Sequence, residues 1–112
     1  MGEGFLAADW RLMRRRVPEW RERYLARKNE EIAAVLQDET KTPTERFWEA
    51  KEIMDKEARI LADCLNGHSR AKMVHYLLRM YCSGLIDRAD LEEFSPELRE
   101  RILAAAEWGR KT

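Results

Sequence analysis

The sequence predicts an all-α fold, a compact bundle of five to six helices. Strong helix formers such as Ala, Leu, Glu and Arg dominate, and the 112 residues include only five Gly and three Pro. No alternating run of β-branched residues is present from which a sheet could be built. Apolar residues recur at helical spacing between Pro, Gly and capping residues. A chain of this length supports one hydrophobic core, so residues 1–112 are predicted to form a single domain.

Pro18 is predicted to separate the first two helices. Proline disfavours helical geometry at the preceding residue, Val17, so a short N-terminal helix is expected over about residues 6–16. Proline is favourable at the first position of a helix, so the second helix is expected to begin at Pro18 and to reach about Asp38.

The segment Thr42-Pro43-Thr44-Glu45 is the sharpest local signal, because it combines a capping box with proline at the first helical position. The third helix therefore starts here, and Asn66-Gly67 ends it as a left-handed cap. With the second helix it predicts a long antiparallel hairpin. Five residues of the third helix share one stripe that is expected to face the core, and Trp48 is also assigned to the core. The stripe consists of Phe47, Met54, Ala58, Leu61 and Leu65.

The fourth helix, over about residues 69–83, is predicted to be the buried centre of the bundle, because apolar side chains cover most of its circumference. Leu77 and Leu78 are both expected to be buried. A short helical turn follows, capped by Asp87. The last helix is expected to open at Ser95-Pro96 and to end before a frayed tail over residues 109–112.

Charge is unevenly distributed, although the net charge is zero. Residues 11–28 carry eight basic and two acidic residues, whereas residues 29–63 carry five basic and ten acidic residues. Arginine interleaved with aromatic residues suits an acidic protein surface or a nucleic acid, through phosphate contacts and base stacking. The remaining alternative is pairing with the acidic helix that follows. The predicted protein-binding residues are Trp10, Arg14, Arg15, Arg16, Trp20, Arg21, Arg23, Tyr24 and Arg27.

A helix-turn-helix unit over about residues 47–83 is the alternative interpretation, and it would make the chain a DNA-binding transcriptional regulator. In such a unit the second helix contacts DNA through residues near its start. The candidate nucleic-acid-binding residues are Ser69, Arg70, Lys72 and Arg79. The burial predicted for this helix argues against the interpretation, because a recognition helix must expose one long face.

Four potential soft metal ligands occur, Cys64, His68, His75 and Cys82. His75 and Cys82 are separated by about 10 Å along one helix, which is too far to share a tetrahedral ion. The glycines are too scattered to form a phosphate-binding loop. No nucleophile has a base at a suitable spacing. The sequence therefore predicts no metal, no cofactor and no catalytic residue.

These observations favour a non-enzymatic protein-binding module with a regulatory or inhibitory role. The expected partner is a protein with an acidic surface, and a second copy of the chain is the other protein partner left open; nucleic acid is less favoured. No membrane-spanning segment or signal peptide is recognisable, so a cytoplasmic location is expected. In size and helical design the chain resembles small accessory proteins of phages and mobile elements, a resemblance of type that assigns no residue a role.

Overall fold

The chain forms an all-α bundle, as the sequence predicts. A computed structural model describes the backbone of residues 2–111 and the side chains of residues 7–110. Within this part of the chain there are five α-helices, one 3-10 turn and no strand. No helix of the described part is long and apolar enough to cross a membrane. The elements are α1 (Gly2–Leu36), α2 (Pro43–Leu65), the 3-10 turn Arg70–Lys72, α3 (Met73–Ser83), α4 (Arg88–Leu91) and α5 (Pro96–Lys111).

Helix α1 is continuous through Pro18, so the predicted break after residue 16 is wrong. Met13, Trp20 and Tyr24 are all buried in the same core cluster, and they follow one another at helical spacing across the proline. Tertiary packing of this stripe therefore outweighs the local cost of proline inside a helix.

Helices α1 and α2 lie antiparallel. Tyr24 contacts Glu57 near the middle of both helices, and Arg46 donates to the Leu36 carbonyl oxygen across 3.1 Å at the connecting end. We call this connecting end of the α1–α2 hairpin, residues 29–56, the tip. The opposite end of α1, residues 11–28, is called the base.

Helix α2 buries a different stripe from the one predicted. Ala50, Glu57 and Cys64 face the core at seven-residue intervals, while Phe47 and Met54 are exposed. Ala58 is also exposed, and Leu61 and Leu65 are half-buried. Trp48, assigned to the core from the sequence, is 58% exposed. The difference is a small rotation of α2 about its axis, which places the apolar residues at the edge of the interface.

The capping box at the start of α2 is confirmed. Glu45 donates its backbone N–H to Thr42 Oγ1 across 3.1 Å, and the Thr42 N–H donates to Glu45 Oε1 across 2.8 Å. Pro43 occupies the first position of the helix. Helix α2 ends just before Asn66-Gly67, as predicted, but Asn66 is extended with φ −103° and ψ 142°, and only Gly67 has a positive φ, +74°.

We expect Thr42→Ala to lower the free energy of unfolding by about 1 kcal/mol, because it leaves a backbone N–H at the start of α2 without its acceptor. Thr44→Ala is the matched control, since Thr44 is exposed in the same turn. Urea unfolding followed by circular dichroism measures both. Equal midpoints for Thr42→Ala and the wild type would contradict the role of the cap.

Helix α3 is central, between α2 and α5. Met73, Leu77 and Met80 are completely buried, whereas Leu78 is half-buried, so the prediction holds for Leu77 and only in part for Leu78. Helices α2 and α5 cover two sides of α3, so one face of α3 remains accessible to solvent. It ends at Gly84, whose φ of +84° lies in the left-handed region that favours glycine.

Polar contacts fix the C-terminal elements to α1. Asp87 and Asp90 form a capping box at α4, and Ser95 donates its N–H and hydroxyl to the Asp9 carboxylate across 3.0 and 2.7 Å. Helix α5 begins at Pro96 as predicted. It continues to Lys111, so the tail predicted to fray from residue 109 is helical to residue 111. One glycine costs only about 1 kcal/mol in a helix. Residue 112 lies outside the described residues.

Candidate binding surfaces

Two aromatic residues of the predicted binding surface are core residues. Trp20 is 2% exposed and Tyr24 is 1% exposed, so neither is available to a partner on the folded surface. The Trp20 ring lies 6.1 Å from that of Phe94. The Tyr24 hydroxyl donates a hydrogen bond to the Glu57 carboxylate, and Lys28 Nζ lies 3.7 Å from the same carboxylate. Burial and the Glu57 hydrogen bond raise the pKa of Tyr24, so its phenol stays protonated at neutral pH.

Three arginines of the predicted surface are engaged within the chain. Arg16 Nη2 pairs with Glu93 Oε1 at 2.7 Å, and Arg23 Nη2 pairs with Asp90 Oδ2 at 2.6 Å. Arg27 donates to the Gly84 carbonyl oxygen across 2.8 Å. These contacts hold α4 and the loops on either side of it against α1.

The remaining members of the predicted surface are accessible. Arg14 and Arg15 are exposed, and within the described residues neither has a carboxylate partner. The Arg14 guanidinium lies 5.9 Å from the centre of the Trp10 ring, which is half-buried. Arg21 is exposed and pairs only with its neighbour Glu22, at 3.3 Å. A smaller basic surface therefore remains at the base of the hairpin.

Asp90 is the most constrained carboxylate among these contacts. Burial opposes its ionisation, but the hydrogen bonds from Arg23 and from the Asp87 backbone outweigh burial and hold its pKa below the ordinary value. Because the pKa is lower in the folded state than in the unfolded state, the ionised carboxylate stabilises the fold at pH values above the ordinary Asp pKa, about 3.9. That contribution is lost as the pH falls through the lowered pKa.

We expect Asp90→Asn to lower the free energy of unfolding by about 1–2 kcal/mol at neutral pH, since Asn cannot pair with Arg23 as an ion. The difference from wild type should shrink as the pH falls below the ordinary Asp value, about 3.9, and through the lowered pKa of Asp90, where the carboxylate becomes protonated. Urea unfolding at neutral pH and over this acidic range measures the difference. Asp55→Asn is the control, because Asp55 and Lys51 form an exposed pair and should contribute little. A difference that does not depend on pH would contradict the ionic contribution.

The candidate nucleic-acid residues do not form one exposed helical face. Ser69 caps the 3-10 turn by accepting from the Lys72 N–H across 3.3 Å. Arg70 and Lys72 are exposed in that turn, not on α3. Arg79, on α3, donates to the Asp63 carbonyl oxygen across 3.4 Å. Met73, the first residue of α3, is completely buried, whereas His75 and Arg79 on the same helix are exposed.

The four potential soft metal ligands do not share one site: two make contacts of their own and two are exposed. Cys64 is buried with its Sγ 3.6 Å from Ser83 Oγ, and burial raises the pKa of its thiol. His68 Nε2 lies 2.6 Å from the Cys64 carbonyl oxygen. His75 and Cys82 are exposed. Among the described residues there is no group of three or more His, Cys, Asp or Glu side chains that could hold a metal ion.

The tip carries an exposed apolar surface that the sequence did not reveal as a site. Phe47 and Trp48 are in edge-to-face contact, with ring centres 5.0 Å apart. We define the tip patch as four large side chains in the last turn of α1 and the first half of α2, together with their exposed fractions: Leu36 (46%), Phe47 (57%), Trp48 (58%) and Met54 (50%). A monomer gains nothing from exposing two adjacent aromatic rings, so the patch is a candidate contact surface.

A groove of about 640 Å³ lies between α3 and α5 and is open to solvent. Its lining includes Tyr81, Ile86, Arg88 and Arg110. Among the described residues, no buried unpaired polar group belongs to this lining.

No family model, curated protein or solved structure matches this chain. The surfaces described above are therefore the basis for a functional proposal.

Proposed function

We propose that this chain is a non-enzymatic, protein-binding module that regulates or inhibits its partner by covering part of the partner's surface. The observation that carries the proposal is the tip patch, where Phe47, Trp48 and Met54 are each at least half exposed. Aromatic residues and Met are enriched in protein interfaces, where each buries a large apolar area.

The accessible arginines at the base extend this proposal. Arg14 and Arg15 have no carboxylate partner within the described residues, so they are free to steer an acidic surface toward the hairpin. The two free cysteines, Cys64 and Cys82, suit a reducing compartment, and we place the protein in the cytoplasm on that ground.

Affinity capture with two variants tests the proposal. The wild-type chain should retain a protein partner, and Phe47→Ser combined with Trp48→Ser should reduce that retention at least tenfold. Trp108→Ser is the matched control, because Trp108 is the most exposed large apolar side chain among residues 7–110, at 71%, and lies on α5. Circular dichroism establishes that all three chains are folded.

Two results would overturn the proposal. The first is equal retention of every partner by the wild type and the tip variant. The second is tight binding of random duplex DNA by the wild type with a steep salt dependence, which is the signature of phosphate contacts and would favour the DNA-binding alternative.

A further inference from the structure

We propose that the partner of the hairpin is a second copy of this chain, and that two hairpins pack antiparallel about a two-fold axis to form a four-helix contact. This inference rests on the proposed protein-binding function and identifies the protein that the hairpin binds. Three independent features of the hairpin support it: a seam of five apolar residues and Lys51, the distribution of unpaired charges, and the available area.

The seam runs along α2 at the edge of its buried stripe. Its members follow at intervals of three and four residues, which is the spacing of a helix that packs against another helix. Helix α3 contacts α2 on the flank that carries Asp63, whose carbonyl oxygen accepts a hydrogen bond from Arg79. The seam lies on the opposite flank of α2, so α3 does not cover it. The seam consists of Phe47, Lys51, Met54, Ala58, Leu61 and Leu65, of which the first four are exposed and the last two half-buried.

The seam fits itself when two copies run in opposite directions. An antiparallel pairing centred between Met54 and Ala58 sets each Met54 opposite Ala58 of the second copy. The same register sets Phe47 opposite Leu65. Large side chains then meet small or half-buried ones, which is how helix surfaces interdigitate.

The charges select the antiparallel direction. Base residues 11–28 carry eight basic and two acidic residues, while tip residues 29–56 carry four basic and eight acidic residues. Parallel packing would set base against base, and antiparallel packing sets each base against the acidic tip of the other copy. Within the described residues several exposed charges have no ion-pair partner. These are Arg11, Arg14 and Arg15 at the base and Glu30, Glu39 and Glu52 at the tip.

The area is sufficient for a specific dimer. Helix α2 has 23 residues, and at 1.5 Å per residue it is about 35 Å long. Two adjacent helices about 10 Å in diameter give a face of about 700 Å². Two such faces bury about 1,400 Å² in total, which is within the range of specific interfaces. The two-fold arrangement is closed, so it predicts a dimer and no larger assembly.

Sedimentation equilibrium from micromolar to near-millimolar concentration tests the dimer. The wild type should approach twice the chain mass of 13.3 kDa. Phe47→Ser combined with Met54→Ser should weaken dimerisation at least tenfold, and Trp108→Ser should leave it unchanged. Because Phe47 and Met54 are exposed, both variants should retain the wild-type circular dichroism spectrum.

Charge exchange tests the direction. A base variant changes Arg11, Arg14 and Arg15 to Glu, and a tip variant changes Glu30, Glu39 and Glu52 to Lys. Each variant alone should be monomeric at concentrations at which the wild type is dimeric. Mixed in equal amounts, the two should form a heterodimer, because each base then opposes a tip of opposite charge.

The possible outcomes separate this inference from the proposed function. A wild type that stays at 13.3 kDa throughout overturns the dimer; if it still captures a different protein through Phe47 and Trp48, the protein-binding proposal stands. A dimer that persists unchanged in the Phe47 and Met54 variant overturns the seam as its interface. A dimer lost in that variant but unaffected by the charge variants overturns the antiparallel arrangement.

Discussion

Trp20→Ala should lower the free energy of unfolding by about 3–5 kcal/mol, the largest loss expected from any single substitution considered for this chain. Trp20 is 2% exposed and belongs to the core cluster that joins α1 to α3 and α5. Its ring also contacts Phe94, which lies just before α5. Truncation removes the buried ring and leaves a cavity at the point where three elements meet.

Trp48→Ala is the matched control for this substitution, because the same side chain is removed from a position that is 58% exposed. Its effect should be within about 0.5 kcal/mol. Guanidinium unfolding monitored by far-ultraviolet circular dichroism avoids the loss of tryptophan fluorescence that both variants share. Low protein concentration excludes any contribution from self-association. Trp20→Phe should fall between the wild type and Trp20→Ala, since it keeps part of the apolar volume. Similar losses for the Trp20 and Trp48 alanine variants would contradict the assigned core.

The parts of the fold that the sequence predicts correctly are those determined by neighbouring residues. The caps at Thr42, Asp87 and Ser95 depend on hydrogen bonds that span three residues, and all three lie where the sequence places them. The turns at Gly67 and Gly84 depend on backbone conformations that glycine adopts without strain. The central position of α3 follows from its own apolar composition.

The face that α2 buries could not be predicted from α2 alone. The stripe predicted to face the core is apolar at helical spacing, whereas the stripe that is buried contains Glu57 and lies less than a quarter turn away. The choice depends on Tyr24 of α1, whose hydroxyl binds Glu57 and so brings a carboxylate into the buried stripe. A buried carboxylate is costly unless it is hydrogen-bonded, and the residue that satisfies Glu57 is 33 residues away in the sequence.

The candidate basic surface was overestimated for the same reason. Arg16 and Glu93 are 77 residues apart, and Arg23 and Asp90 are 67 residues apart. Pairings at this separation leave no periodic signal in one sequence. The charge pattern of the sequence indicates pairing of these arginines with the acidic helix that follows. In the structure, Arg16 and Arg23 instead pair with Glu93 and Asp90, in the region around α4. The tip patch was hidden because the sequence assigns Phe47, Trp48 and Met54 to the core.

Pro18→Ala should raise the free energy of unfolding by about 2 kcal/mol, which would make it the largest stabilising substitution in the chain. Pro18 lies inside α1, where it removes the hydrogen bond to the Arg14 carbonyl oxygen and costs about 3 kcal/mol relative to Ala. Alanine restores the missing donor. It also makes the unfolded chain more flexible, which offsets about 0.4–1 kcal/mol of the gain. Pro18 is exposed, so the substitution removes no core contact.

Pro43→Ala provides the matched control, because Pro43 stands at the first position of α2, where the missing N–H has no helical acceptor to lose. The same exchange should there be neutral or lower the free energy of unfolding by up to about 1 kcal/mol. Urea unfolding of both variants separates the two positions. If Pro18→Ala were destabilising, the packing of Met13 and Trp20 on either side of residue 18 would require a backbone geometry that only proline supplies. A gain confined to Pro18→Ala would instead show that the buried stripe holds α1 continuous against the preference of residue 18.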